Sequence, residues 1–148
     1  MKYEHLFFDL DRTLWDFDKN SEKVLIDIFY KTKLNESIRS VESFILIYQK
    51  LNESLWLLYS ANKLKKEVLR TKRFEDTLKH FNVFDKEKAR SMSEYYVAHS
   101  PRQTLLIPNT MKVLDYLSNK YKLHIISNGF EEVQHIKLRE SGLAPYFE

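Results

Sequence analysis

The sequence predicts an α/β core interrupted by an all-α insertion. Two short apolar runs, Leu6-Phe7-Phe8 and Leu123-His124-Ile125-Ile126, each end abruptly in polar residues. Between them lies a long stretch of helical periodicity that no strand pattern interrupts. Glycine is scarce, two in 148 residues against a usual ~7%, so tight turns are few and a mostly helical chain is expected.

The first run reads as a buried, parallel-type strand whose C-terminal end delivers Asp9 and Asp11 to a polar site. From Asn20 to Lys33 the pattern is helical, with Val24, Leu25, Ile28 and Phe29 on one face and Asp18, Asn20 or Ser21 as the expected cap. Residues 40–61 repeat that periodicity through Phe44, Ile45, Tyr48, Leu51, Leu55 and Leu58. Residues 64–81 and 86–98 do so again. After Pro101 and Pro108 a helix through Met111, Leu114 and Leu117 is expected, with Asn109 as its cap. Residues 121–126 form the second strand, closed by Ser127-Asn128-Gly129, and a last helix runs from Phe130 to Ser141. Gly142 stands where a left-handed residue would terminate it.

Composition excludes several classes. At 43% hydrophobic residues the chain is not disordered. Without cysteine it has no disulfide, thiolate metal site or thiol nucleophile. No run approaches the roughly 20 apolar residues of a membrane span, and the N-terminus does not read as a secretory signal, so a cytoplasmic, membrane-free protein is expected. The formal charge of +3 is mild; it calls for no nucleic acid and leaves room for an anionic small molecule.

Asp9 and Asp11, two apart on a strand, point to one side. In open α/β sheets the ligand crevice lies beyond the carboxyl ends of the strands. Two carboxylates there repel, and a divalent cation, Mg²⁺ for an oxygen-only set, relieves this; taken alone, the pair could equally end a strand. Ser127-Asn128-Gly129 supplies a hydroxyl, an amide and a backbone N–H before a helix, an anion receptor or an ordinary strand-to-helix turn. Together the two motifs make a coherent phosphate–metal site.

Phe7-Phe8-Asp9-Leu10-Asp11-Arg12-Thr13-Leu14 resembles the first signature of the haloacid dehalogenase superfamily, in its D-x-D-x-T phosphatase form, and Ile125-Ile126-Ser127-Asn128-Gly129 resembles the second. Thr13-Leu14-Trp15-Asp16-Phe17-Asp18, Leu55-Trp56-Leu57-Leu58-Tyr59 and Gly142-Leu143-Ala144-Pro145-Tyr146-Phe147 are similar to the pyrimidine 5′-nucleotidase subgroup. The resemblance implies a Rossmann-like core with an inserted helical cap. It implies a Mg²⁺-dependent phosphomonoester hydrolase, acting on a pyrimidine nucleoside monophosphate through an aspartyl-phosphate. Asp9 would be the nucleophile and Asp11 the acid and base. Asp9 and the Asp11 backbone carbonyl would bind the metal. Thr13 would hold the turn, and Ser127, Asn128 and the Gly129 amide would bind phosphate.

Two further family motifs, a lysine and an acidic pair, follow in relatives the stretch that ends here at Pro145-Tyr146-Phe147-Glu148. A truncated chain is therefore expected, with residues 1–15 and 100–148 as an incomplete core, 16–99 as the cap, and self-association through an exposed strand edge. Spacing in the sequence identifies none of Lys120, Lys122 or Lys137 as a substitute for the missing lysine. Alternatives are a phosphatase for another small ester such as phosphoglycolate, and an incomplete fragment that only binds a partner. Trp15, Phe17, Trp56 and Tyr59 are either base-stacking or core residues, with Trp56 and Tyr59 placed among the substrate-binding candidates. His5 and His124 read as packing residues. Lys63, Lys66, Arg70 and Arg73 read as a solvated helix face.

Overall fold

The computed structural model describes residues 3–148, which divide into two compact units. One comprises the chain up to Ser21 together with Ser100–Glu148; the other is Glu22–His99. The division falls at Ser21 rather than after Trp15 because the chain around Asp16 is tied to the segment after Ser100. Asp16 N–H donates to the Leu105 carbonyl at 3.0 Å. The Asn20 side chain donates to the same carbonyl and accepts from Leu105 N–H, at 2.9 and 3.1 Å.

In the first unit, β1 (His5–Phe8) and β2 (Lys122–Ile125) pair in parallel, Leu6 opposite Leu123 and Phe8 opposite Ile125. Alternation sends those four to one face. There they meet Leu10, Leu14, Trp15, Leu114 and Leu143. The expectation of a buried strand needs correction: Phe7 is 66% exposed. The helices of this unit pack on the Leu6 side, so the pleat turns Phe7, His124 and Ile126 to the uncovered face. His5 and His124 share an N–H···N hydrogen bond of 2.8 Å, and the Phe7 ring stacks on His124.

The helix α1 (Phe17–Lys31) starts one turn earlier than expected, and its cap is Asp16, whose Oδ1 accepts from Lys19 N–H at 3.2 Å. Ile107 N–H and the Thr110 hydroxyl both donate to the Leu14 carbonyl, and the Trp15 indole N–H donates to the Gln103 carbonyl. These bonds satisfy buried polar groups and hold residues 103–110 against the turn after β1. Asn109 precedes the next helix but makes no side-chain capping bond; it takes φ 70, the left-handed region.

The second unit is helical: the rest of α1, then α2 (Val41–Ser60), α3 (Lys66–His80) and α4 (Lys86–His99). Its core holds Val24, Leu25, Ile28, Phe29, Phe44, Tyr48, Phe74, Leu78 and Met92. The sequence's solvated basic stripe is overturned at Arg73, which is only 6% exposed. Its guanidinium sits 4.6 Å from the Tyr96 ring and within reach of Tyr48 and Phe74. It donates to the Asn52 side-chain oxygen and the Arg70 carbonyl. Burial pushes the Tyr48 phenol well above its ordinary pKa, so it stays neutral beside this cation. Among the described residues, no helix is long and apolar enough to cross a membrane.

Next in chain order, α5 (Thr110–Ser118) leads into β2, and α6 (Glu131–Glu140) follows it in the first unit. α6 ends as expected: Gly142 takes φ 73, with Gly142 N–H on the Arg139 carbonyl and Leu143 N–H on the Leu138 carbonyl.

Candidate active site

Asp9 and Asp11 do not lie within one strand. β1 ends at Phe8, and the chain leaves it through a tight turn in which the Leu10 carbonyl accepts from Thr13, Leu14 and Trp15 N–H. Arg12 takes φ 63 in that turn. Its guanidinium is paired with Asp18 at 2.9 Å and lies over the Phe17 ring. The two carboxylates have different partners. Asp9 is exposed at the strand's end and accepts a 3.0 Å hydrogen bond from the Thr13 hydroxyl. Thr13 thus both closes the turn, through its N–H on the Leu10 carbonyl, and orients the Asp9 carboxylate.

Asp11 is half-buried and both its oxygens are engaged. Oδ1 receives Lys137 Nζ at 2.6 Å, and Oδ2 accepts from Gln134 Nε2 at 2.9 Å. The same Nε2 reaches Ser127 Oγ at 2.6 Å, so Gln134 joins the first motif to the second. Lys137 and Gln134 come from one face of α6, three residues apart. Lys137 is nearly buried, its ammonium 4.4 Å from the centroid of Trp15 and 5.6 Å from that of Phe17. The sequence reading weighed Lys137 only as a substitute for the missing family lysine and declined it, and it missed Gln134. Their spacing from Ser127 meant nothing until α6 was placed beside the β1 turn, although a Gln and a Lys on one helical face directly after Ser127-Asn128-Gly129 were the available signal.

Ser127 Oγ also accepts from Gly129 N–H at 3.1 Å. With two donors on its oxygen, the hydroxyl proton is left to donate outward, as an anion-binding serine requires. The expectation that the Gly129 N–H is free for phosphate needs correction, since that donor is used on Ser127. Gly129 is needed for another reason: a Cβ there would lie 2.6 Å from Gln134 Cδ. Asn128 is exposed beside it.

Trp15 is fully buried, which removes it as a stacking residue. Trp56 and Tyr59 lie on α2 in the helical unit, half-buried, their rings edge to face at 5.4 Å.

The donors that the family resemblance names for a cation are hard oxygens, the Asp9 carboxylate, which is exposed, and the Asp11 main-chain carbonyl. The Asp11 side chain is spoken for by Lys137 and Gln134. Among the described residues no cluster of three or more His, Asp or Glu could hold a metal. One carboxylate and one carbonyl fit Mg²⁺, which keeps several waters and binds through one or two carboxylates plus a substrate phosphate.

No protein-family model matches the chain. Curated relatives do. The pyrimidine 5′-nucleotidase PynA of Streptococcus pneumoniae is 30% identical over 99% of this chain and 60% of its own length. The pyrimidine 5′-nucleotidase YjjG of Escherichia coli is 26% identical over 100% of this chain and 61% of its own. The chain thus spans about 60% of the length of these relatives. Among solved structures, the magnesium-bound HAD-hydrolase YfnB of Bacillus subtilis superposes with a TM-score of 0.87 at 24% identity, covering 100% of this chain and 64% of YfnB. An L-2-haloacid dehalogenase from Xanthobacter autotrophicus shares the fold at a TM-score of 0.67 and 19% identity, over 99% of this chain and 55% of its own. In sequence this chain is similar to pyrimidine 5′-nucleotidases, and it shares its fold with a HAD-hydrolase and a haloacid dehalogenase.

Proposed function

We propose that this protein hydrolyses phosphomonoesters, with Asp9 as the nucleophile and a pyrimidine nucleoside 5′-monophosphate as the substrate. The observation that carries the reading is the convergence of two motifs. The Asp9–Thr13 pair sits at the end of β1, and Asp11 is bridged by Gln134 to Ser127 at the end of β2. The nucleotidase names of PynA and YjjG support the substrate class.

In this chemistry an Asp9 oxygen attacks phosphorus while the ester P–O bond breaks and Asp11 gives a proton to the departing alcohol. Water then attacks the aspartyl-phosphate, its proton passes to Asp11, and the P–O bond to Asp9 breaks to release inorganic phosphate. Splitting the displacement this way replaces one difficult step with two easier ones. The Thr13 hydroxyl holds the attacking carboxylate, and the outward Ser127 hydroxyl donates to a phosphate oxygen, with Asn128 beside it. Mg²⁺, held by Asp9 and the Asp11 carbonyl, would supply charge neutralisation for the phosphate. Trp56 and Tyr59 are the aromatics proposed to contact the base.

The test is release of inorganic phosphate from uridine monophosphate, and of halide from 2-chloropropionate, by the wild type and Asp9→Asn. We expect phosphate release that Asp9→Asn abolishes without loss of the folded signal, because Asp9 is exposed and an amide cannot attack phosphorus. Phosphate release that survives in Asp9→Asn, or halide release alone, would overturn the reading.

A further inference from the structure

Lys137 is a nearly buried cation on the inner face of α6, and it spends its charge on a single carboxylate oxygen, Asp11 Oδ1, at 2.6 Å. Its neighbours are aromatic: Trp15 and Phe17 lie within cation–π reach. Such walls leave the ammonium little freedom to choose another partner. Gln134, one turn earlier, takes the other Asp11 oxygen and is itself fixed. Its Nε2 is shared between Asp11 and Ser127, and reversing the amide would set Oε1 against a carboxylate. Gln134 Oε1 is buried without a partner. An arrangement that leaves a buried acceptor unsatisfied costs stability, so the orientation is being held by the Asp11 and Ser127 bonds. The Asp11 carboxylate is thereby fixed at both ends by residues outside either motif.

We infer that Lys137, assisted by Gln134, is a positioning residue that aims the Asp11 carboxyl group, which carries the proton when the alcohol leaves, at the leaving oxygen. The inference rests on the phosphatase reading of the site and adds to it a residue that the motif pattern lacks. Asp11 lies just before Arg12's left-handed residue, beyond the end of β1, and its carboxylate oxygens are held by Gln134 and Lys137, so its aim depends on α6. A misplacement of about 1 Å can cost on the order of 100-fold in rate.

Leaving-group dependence separates positioning from general loss of structure. A nucleotide's departing alkoxide needs protonation in the transition state, whereas p-nitrophenolate departs without it. In Lys137→Met, which keeps the aliphatic stem between Trp15 and Phe17, the single-turnover rate of alcohol release, which reads the first step apart from the aspartyl-phosphate hydrolysis common to both esters, should fall about 10- to 100-fold for uridine monophosphate. The loss on p-nitrophenyl phosphate should be slight, and Lys137→Arg should restore part of the nucleotide rate. Equal losses on the two esters, or no loss on either, would overturn the inference. Asp9→Asn run in parallel tests the nucleophile separately: if it stays active, the proposed chemistry fails while the leaving-group pattern of Lys137→Met still reports on proton delivery. A thermal double-mutant cycle of Asp11→Asn and Lys137→Met reads the pair without turnover. Non-additive melting shifts are expected, and additive shifts would overturn the pairing.

Discussion

Gly129 occupies its position because the Gln134 side chain fills the space a Cβ would take. The sequence reading assigned the residue to close approach of a phosphate, which the same lack of a side chain would also permit. What decides is the neighbour seven residues after Ser127, invisible until α6 is folded back. Gly129→Ala should push Gln134 away and loosen its bonds to Asp11 and Ser127 together, at about 1–3 kcal/mol by analogy with overpacking. Urea unfolding measures this. In a Gly129→Ala/Gln134→Ala double variant the steric part should vanish, so its stability should match Gln134→Ala alone; if the cost of Gly129→Ala persists there, the clash is not its origin. At this scale Asp9, Thr13 and Ser127 were legible as motif residues. Lys137 and Gln134 were not, because a partner brought in by tertiary folding carries no spacing signature.

The helices were legible because each has an apolar face at helical period, and their extents follow the pattern to within a few residues. The cap of α1 shifted to Asp16 because tertiary bonds to Leu105 select where the helix can start. The basic stripe of α3 shows the opposite failure. Lys66, Arg70 and Arg73 share a charged periodicity, yet Arg73 turns inward among Tyr48, Phe74 and Tyr96. Charge alone does not tell an aromatic-lined guanidinium from a solvated one. The long aliphatic stem lets arginine count as core, and a buried charge can often be replaced by an apolar chain at little cost. Arg73→Met should therefore change unfolding free energy by less than about 1 kcal/mol, whereas Arg73→Ala, which also removes the packed stem, should cost about 2–4 kcal/mol. Similar losses from the two would show that the cation itself, through its aromatic and Asn52 contacts, supplies the stability.

Across the whole chain, the α/β core with its helical insertion was readable from two apolar runs and the helical stretch between them. The exposure of the sheet was not. A run such as Leu6-Phe7-Phe8 reads as buried on both faces, but only the Leu6 and Phe8 side meets the core, leaving Phe7 66% exposed opposite His124, and Ile126, just beyond β2, 64% exposed. The far edge of β2 is engaged by the chain's last residues, with Glu148 N–H on the Leu123 carbonyl. Among the described residues β1 pairs only with β2, so its second edge lies next to the same apolar face. An unpaired edge beside exposed apolar side chains is a surface that another chain can join. We expect residues 1–148 to associate as concentration rises, measured by sedimentation equilibrium. Phe7→Lys should shift the chain to monomer, since a charge on the open face opposes stacking while leaving the Leu6 side untouched. The Ser127 side of the site should be undisturbed, so the same variant should keep the wild-type melting temperature to within a few degrees. A chain that is monomeric at all accessible concentrations, or association that Phe7→Lys leaves unchanged, would rule out this face as the contact.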